Sequence, residues 1–338
     1  MSMTLADTQV KAALDALESE QACLLEKVEM LMEMAMGLQL KPKSPEQLFD
    51  AVALYDRALQ LCPEDEPLLA ARIQARKGTA LQSIPGDDAD YLHQARAALE
   101  TALVEISASG SAEEVAEIEL NLGLVIQNLA GTHQAPITDC IAAYQRSLRI
   151  FTHDRYPAEY AILHNNLATA FLSIPMSDER GKMREALAVQ SFEQALKVVS
   201  LVDQPSEYAM LQNNLGNALQ YVSSSHAVEN NLRALVAYDE ALKVRNPQDT
   251  PLEYANTISN KANCLLNLPD DPVDPDVGNR DNLLKARDYY RQALDIFQQF
   301  GDSAKAQMIQ QTLAEIDQDL GTGKAGSRDG KGFGASRV

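Results

Sequence analysis

One sequence phrase recurs along the chain at a spacing of 45 to 48 residues, and this periodicity limits the folds that the chain can adopt. Its clearest copies read Pro-x-Glu-Tyr-Ala and begin at Pro157, Pro205 and Pro251. A small residue marks the centre of every copy, including two degenerate upstream ones, at Gly78, Gly123, Ala168, Gly216 and Ala262. Self-similarity at a fixed period of this length is typical of solenoid proteins, in which each repeat is one supersecondary unit.

A second phrase follows each copy of the first and has the spacing of an apolar helix face. In it an aromatic residue or Leu is followed four residues later by Leu, which places the two side chains on one side of a helix. The six pairs are Tyr55/Leu59, Leu99/Leu103, Tyr144/Leu148, Phe192/Leu196, Tyr238/Leu242 and Tyr290/Leu294. Prolines and acidic residues separate the phrases, and no run of alternating β-branched residues competes, so the pattern predicts an all-α chain.

These residues resemble the tetratricopeptide repeat (TPR), whose first helix carries Leu-Gly and Tyr and whose second carries Ala around an aromatic residue. The resemblance covers residues 19–320, but the usual TPR period is about 34 residues. The repeated residues are similar to a long-period variant of the repeat found in kinesin light chains and in bacterial arrays associated with CHAT domains. It implies a right-handed α-solenoid of about six TPR-like helix pairs with a C-terminal capping helix.

Three regions are expected: a helical N-terminal cap over 1–18, the solenoid over 19–320, and a disordered, basic, Gly-rich tail over 321–338. A closing helix is predicted over 302–320. The predicted pairs are 19–40/46–61, 66–84/88–108, 112–130/135–152, 158–174/183–202, 206–222/227–245 and 252–268/280–300.

Charge and cysteine usage exclude several classes of protein. The chain has 29 basic and 48 acidic side chains and a net charge of −19, which disfavours nucleic acid as a partner. No signal peptide or membrane-spanning run is visible, so a cytoplasmic protein without membrane contact is expected. The four cysteines are far apart and the five histidines form no metal-binding pair, so no metal and no cofactor are predicted.

Asparagine recurs on one face of the predicted first helices, where its low helix propensity calls for a reason. Because a side-chain amide offers both a donor and an acceptor, a row of amides can hold the backbone of an extended peptide. The alternative is that these amides bond to the backbone of the adjacent repeat or are merely solvated. The candidate residues are Asn121, Asn165, Asn166, Asn213, Asn214, Asn217, Asn256, Asn260 and Asn263.

Two arginines one helical turn apart, Arg72 and Arg76, project to the same face of an upstream first helix. With Asn121 and Asn166 they resemble the carboxylate clamp of chaperone-binding TPR domains, and a guanidinium can bind a carboxylate through two hydrogen bonds. Glu117 departs from that pattern, because it stands where a neutral or basic residue is expected.

The sequence therefore predicts a non-catalytic scaffold, adaptor or assembly chaperone that binds an extended peptide or partner segment in a groove. Its partner would be a protein or peptide, and a homo-oligomer is possible. Two alternatives remain open: a regulatory subunit or enzyme with its site in the long loops, and a self-assembling structural spacer.

Overall fold

A computed structural model describes residues 22–86, 89–174, 179–222 and 226–322, and within these ranges the chain forms thirteen α-helices and one short 3₁₀ turn. The described residues contain no strand, so the all-α prediction is confirmed. The helices are α1 Leu24–Leu40, α2 Glu46–Leu61, α3 Pro67–Gln82, α4 Ala89–Ser109, α5 Ala112–Gly131, α6 Ile137–Ser147, α7 Pro157–Leu172, α8 Glu179–Ala195, α9 Pro205–Tyr221, α10 Ala227–Ala241, α11 Pro251–Leu266, α12 Arg280–Gln299 and α13 Ser303–Thr322.

The chain divides into two compact units, residues 1–173 and 174–338. In unit 1, α1 pairs with α2, α3 with α4, and α5 with α6, and α7 packs on the last pair. In unit 2, α8 packs on α9, α9 pairs with α10, α11 pairs with α12, and α13 packs on α12. The first helices of successive repeats also contact one another, α3 with α5 and α5 with α7 in unit 1, and α9 with α11 in unit 2.

Proline determines where four of the first helices begin. Pro67, Pro157, Pro205 and Pro251 each occupy the first helical position, where the missing N–H is not needed for a helical hydrogen bond. Because proline disfavours the helical conformation in the residue before it, the preceding turn cannot continue into the helix. The repeated phrase therefore starts at a helix boundary.

Three second helices end several residues earlier than the sequence predicts. The helices α6, α8 and α10 end at Ser147, Ala195 and Ala241, whereas helix was expected through 152, 202 and 245. Each is followed by a tight turn with an i→i−3 hydrogen bond at the same place: the N–H of Arg149 to the carbonyl of Arg146, and the equivalent bonds of Lys197 and Lys243 after α8 and α10. Apolar residues continue through these turns, so the sequence pattern does not show where helical hydrogen bonding stops.

A glycine-to-tyrosine contact sets the close approach of the two helices in a repeat. A Cβ added at Gly216 would lie 2.5 Å from Cε1 of Tyr238, and one added at Gly123 would lie 2.3 Å from Cε1 of Tyr144. Both rings are fully buried. The small residue at the centre of the repeat is therefore needed because the aromatic ring of the second helix occupies the space of a side chain.

The loop before α12 is held by Asp270. Its carboxylate accepts hydrogen bonds from the backbone N–H groups of Asp281 (2.9 Å) and Asn282 (2.8 Å), in the first turn of α12. Its own backbone N–H donates to the carbonyl of Gly278 at 2.7 Å and closes the loop. Asp270 thus caps a helix whose own N-cap residue, Asn279, forms no side-chain cap.

Replacing Asp270 with Ala is expected to lower stability by about 1 kcal/mol, the usual cost of losing a helix cap. The matched control is Asp271→Ala, because Asp271 accepts only one local bond, from the N–H of Val273, and should change stability by less than about 0.5 kcal/mol. Urea unfolding followed by circular dichroism compares the two. Equal effects would show that Asp270 has no special role.

The predicted N-terminal cap over 1–18 lies outside the described residues. Of the predicted tail, 321 and 322 belong to the end of α13, and the remaining residues also lie outside the described part.

Candidate functional site

The first helices α3, α5 and α7 of unit 1 lie side by side and carry five of the eleven candidate residues: Arg72, Arg76, Asn121, Asn165 and Asn166. We call the side on which these residues stand the α3–α5–α7 face. The other six candidates belong to α9 and α11 of unit 2. The two groups differ in how their polar atoms are used.

Arg72 is bound to a carboxylate within unit 1. Its Nε donates to Oε1 of Glu114 at 2.6 Å and its Nη2 to Oε2 at 3.3 Å. This guanidinium holds the pKa of Glu114 below its usual value, so the contribution of the pair to stability is present at neutral pH and is lost as the pH falls through the lowered pKa. Because Glu114 also closes a capping box with Ser111, Arg72 supports the start of α5.

Arg76 is exposed, and none of the ion pairs among described residues includes it. Its backbone carbonyl accepts a bond from the hydroxyl of Thr79 at 2.8 Å, and Thr79 in turn accepts from Nε2 of Gln39 at 2.9 Å. The buried Tyr55 donates to Oε1 of Gln39 at 3.1 Å. Burial raises the pKa of Tyr55 to about 12, and the positive charge of Arg76 acts in the opposite direction. The backbone of Arg76 is therefore held by a hydrogen-bond network, while its guanidinium is available to bind a ligand.

The asparagines of the α3–α5–α7 face keep part of their bonding capacity. Nδ2 of Asn121 donates to the carbonyl of Glu117 in its own helix, and no bond to another described residue uses its Oδ1. Nδ2 of Asn165 donates to Oδ1 of Asn166 at 3.3 Å, and Nδ2 of Asn166 has no hydrogen-bond acceptor among the described residues. Oδ1 of Asn165 is buried and has no hydrogen-bond partner in the described part of the chain.

The asparagines of unit 2 bond across repeats instead. Nδ2 of Asn260 in α11 donates to Oδ1 of Asn213 in α9 at 3.3 Å, and Nδ2 of Asn213 approaches Oδ1 of Asn214 at 3.5 Å. Asn256 accepts a bond from Nζ of Lys305 in α13 at 2.9 Å. The bond between Asn260 and Asn213 connects two successive first helices, side chain to side chain, whereas Asn256 is bound to the closing helix α13.

Gln220 is the centre of a second network in unit 2. Its Nε2 donates to the hydroxyl of Tyr238 and to the carbonyl of Asn260 (3.2 Å), while its Oε1 accepts from Nδ2 of Asn263 at 3.1 Å. The Tyr238 hydroxyl donates to Oδ1 of Asn217 at 2.7 Å. One side chain thus joins both helices of a repeat to the next repeat.

The Tyr–Gln pairing was not among the predicted contacts, although the sequence carries a signal for it. Gln39, Gln127 and Gln220 precede Tyr55, Tyr144 and Tyr238 by 16, 17 and 18 residues. In all three pairs the tyrosine hydroxyl is hydrogen-bonded to the glutamine. The recurrent spacing of an amide and a buried tyrosine predicts such a bond wherever the two helices of a repeat pack together.

Removing an inter-repeat amide should lower stability. We expect Asn260→Ala to cost about 1–3 kcal/mol, because Oδ1 of the buried Asn213 loses its donor. The matched control is Asn128→Ala, an exposed asparagine of α5, where Ala should be neutral or slightly stabilising because it is the better helix former. Thermal unfolding measures both, and an unchanged midpoint for Asn260→Ala would contradict the assignment.

Other kinds of site find little support in the described residues. No group of three His, Cys, Asp or Glu side chains is placed to hold a metal ion there. Within the same ranges, no helix combines the length and apolar character that crossing a membrane requires. In three repeat pairs a glycine of the first helix packs closely on a large side chain of the second, Gly78 on Leu99, Gly123 on Tyr144 and Gly216 on Tyr238.

No protein-family model and no curated protein matches the chain. Solved structures are similar at low identity. The TPR2AB-domain:pHSP90 complex of yeast Sti1 has a TM-score of 0.30 and 14% identity, covering 86% of this chain and 99% of its own. BtubC (BKLC) from P. vanneervenii has a TM-score of 0.34 and 16% sequence identity, and the match covers 98% of this chain and 98% of BtubC. A Rap protein complexed with competence and sporulation factor has a TM-score of 0.43 and 12% sequence identity, and the match covers 92% of this chain and 80% of the Rap chain.

Proposed function

We propose that the chain is a non-catalytic protein-binding scaffold, and that the α3–α5–α7 face binds an extended segment of a partner that carries a carboxylate. The observation that carries the proposal is Arg76, an exposed guanidinium outside every ion pair among the described residues. A free guanidinium can bind a carboxylate through two parallel hydrogen bonds.

The neighbouring amides supply groups that suit a peptide backbone. Asn121 offers an acceptor on α5, and Asn166 offers a donor on α7. The buried Oδ1 of Asn165 lacks a donor among the described residues, a condition that costs free energy unless a ligand or neighbour relieves it. An extended segment crossing α3, α5 and α7 would therefore meet a guanidinium and then successive amides.

The amides of unit 2 have a different role in this proposal. Asn213, Asn260 and Asn263 already bond to other repeat residues, so a peptide would have to replace those bonds. We assign them to the stiffness of the repeat array, which reduces the ordering cost when a partner binds.

The experiment that tests the proposal begins with a random-peptide library selected on the full chain. Selected peptides should share an acidic residue or a free C-terminal carboxylate. Arg76→Ala should weaken the best peptide at least tenfold by fluorescence anisotropy, the loss expected for one charge-assisted pair.

The matched control is Arg96→Ala, because Arg96 in α4 bonds to Glu100 of its own helix at 2.7 Å and stands outside the α3–α5–α7 face. It should leave the affinity within about twofold of the parent value, as expected for a substitution remote from the site. Selection of peptides without acidic groups, or equal losses for Arg76→Ala and Arg96→Ala, would contradict the proposal.

A further inference from the structure

Five repeat junctions carry a pair of residues twelve apart in sequence, one near the end of a second helix and one in the second turn of the next helix. In four of these pairs both side chains are apolar and buried: Ile106/Ile118, Phe151/Leu163, Val199/Leu211 and Phe297/Ile309. Where α10 is followed by α11, the equivalent residues are Arg245 and Thr257. This junction, which we call the α10–α11 joint, is therefore polar where the four others are apolar.

The guanidinium of Arg245 is half-buried, and its charge is poorly compensated. Its one hydrogen bond among the described residues runs from Nη1 to Oγ1 of the fully buried Thr257 at 2.8 Å. Burial lowers the pKa of Arg245, and the negative charge of Glu253 offsets this effect only in part. Because a charge taken out of water is costly without an opposite charge in contact, this pair stabilises the joint less than two apolar side chains would.

The buried apolar core is also interrupted at the α10–α11 joint. In unit 1 a single core runs from Val28 in α1 to Leu129 in α5 and crosses two repeat junctions. The core of α11, α12 and α13 begins at Ala255 and, within the described residues, includes no buried side chain of α10. Only the half-buried Leu235 and Leu242 reach it from that side. The last three helices therefore have a core of their own.

Directional polar contacts hold the joint closed. Nζ of Lys261 in α11 pairs with the carboxylate of Asp239 in α10. The thiol of Cys264 in α11 donates to the backbone carbonyl of Asn231 in α10 at 3.0 Å. The amide bonds from α11 to α9 described above belong to the same interface. These contacts fix the geometry of the closed joint, but water can replace them at small net cost when it opens.

We propose that the α10–α11 joint opens as a unit, so that α11, α12 and α13 separate together from α8, α9 and α10 while both blocks stay folded. In a repeat array each interface contributes its own free energy, so an array separates first where an interface is weakest. The proposal is independent of the peptide face in unit 1.

The joint also controls access to the amides of unit 2. In the closed state Asn213, Asn260 and Asn263 are held in bonds between repeats. Opening breaks these bonds and leaves the amides free to bind a partner segment. The closed joint is therefore an autoinhibitory contact for this part of the array.

Cys264 reports opening, because its buried thiol contacts α10 in the closed joint. Cys140 in α6 is the internal control: it is equally buried, and burial raises the pKa of both thiols to about 12. The full chain is labelled with N-ethylmaleimide, and mass spectrometry follows each cysteine. Cys264 should react at least about tenfold faster than Cys140, since local opening requires less free energy than global unfolding.

Urea distinguishes opening of the joint from unfolding of unit 2. Opening exposes only the surface between the two blocks, so the labelling rate of Cys264 should change little with urea below the unfolding transition. A steep rise with urea, or a rate equal to that of Cys140, would overturn the proposal.

An apolar joint should stay closed. Arg245→Phe with Thr257→Leu gives the joint the residues of the α6–α7 junction and should slow labelling of Cys264 at least about tenfold. Arg291→Phe is the matched control, because Arg291 is exposed on α12, and it should change the rate by less than about twofold. If Phe perturbs folding, Arg245→Val with Thr257→Leu supplies the residues of the α8–α9 junction instead. Unchanged labelling of Cys264 in a folded joint variant would contradict the proposal.

Discussion

Replacing Gly216 with Leu is expected to lower the stability of unit 2 by about 3 kcal/mol, the upper part of the usual range for overpacking a core. The first atom of the new side chain would lie 2.5 Å from the ring of Tyr238, which is fully buried and cannot move aside without disturbing its bonds to Asn217 and Gln220. Denaturant unfolding followed by circular dichroism measures the loss.

A pair of identical substitutions makes this prediction sharper. Gly216→Ala should destabilise, whereas Gly37→Ala should stabilise by about 0.5–1 kcal/mol, because Gly37 lies in the exposed part of α1 with no atom near its missing Cβ. If the same Gly→Ala change lowers stability at position 216 and raises it at position 37, the close approach of the two helices lies at Gly216. If Gly216→Ala and Gly216→Leu both unfold like the parent, the helix pairing is wrong.

Replacing Arg146 with Ala is the second substitution with a large expected effect. Arg146 of α6 donates two hydrogen bonds, 2.6 Å and 2.7 Å long, to the carboxylate of Glu119 in α5, whose side chain is only 7% exposed. Without the guanidinium the carboxylate is left in the core of unit 1. We expect a loss of about 3 kcal/mol, at the lower end of the range for breaking a buried pair because Arg146 is half-exposed.

The double substitution Glu119→Leu with Arg146→Met distinguishes this cause from simple loss of packing. Apolar replacement of both partners should restore most of the stability, since no charge then remains buried. Arg96→Ala offers a surface comparison and should cost at most about 0.5 kcal/mol, because Arg96 and Glu100 form an exposed pair within one helix. Equal losses for Arg146→Ala and Arg96→Ala would contradict the account.

Much of the helix order could be predicted from the sequence, because two kinds of residue determine it locally. Pro157, Pro205 and Pro251 can occupy the first position of a helix but disrupt its interior, so each indicates a helix start. The recurrence of Gly123 and Gly216 with Tyr144 and Tyr238 reflects a close helix contact that both of these repeats make. Features that depend on one residue type at one position are visible in the sequence.

The candidate site could be predicted only in part, because the partner of an amide depends on tertiary geometry. Asn166 and Asn214 stand at equivalent places in their repeats, and both accept a bond from the asparagine before them. Asn213, however, receives Nδ2 of Asn260 from the next first helix, whereas Oδ1 of Asn165 has no partner among the described residues. A propensity argument identifies an unusual row of asparagines but does not decide which atoms they meet.

The pairing of Arg72 could not be predicted for the same reason. Glu114 lies 42 residues away and belongs to a capping box, a local motif with its own explanation. Only the packing of α3 against α5 brings the guanidinium to it. Of the two arginines that the sequence groups together, one is used to support a helix start and the other is left available.

We propose that the asparagines of the α3–α5–α7 face bind peptide and that those of unit 2 stiffen the repeat array. The most direct test compares the affinities of Asn166→Ala and Asn260→Ala for one selected peptide. For each variant the dissociation constant is measured by fluorescence anisotropy at a temperature where the protein is folded. We predict that Asn166→Ala weakens binding about fivefold or more, consistent with loss of one backbone hydrogen bond of about 1 kcal/mol, while Asn260→Ala leaves the affinity unchanged. The reverse result, intact binding for Asn166→Ala and weakened binding for Asn260→Ala, would contradict the account.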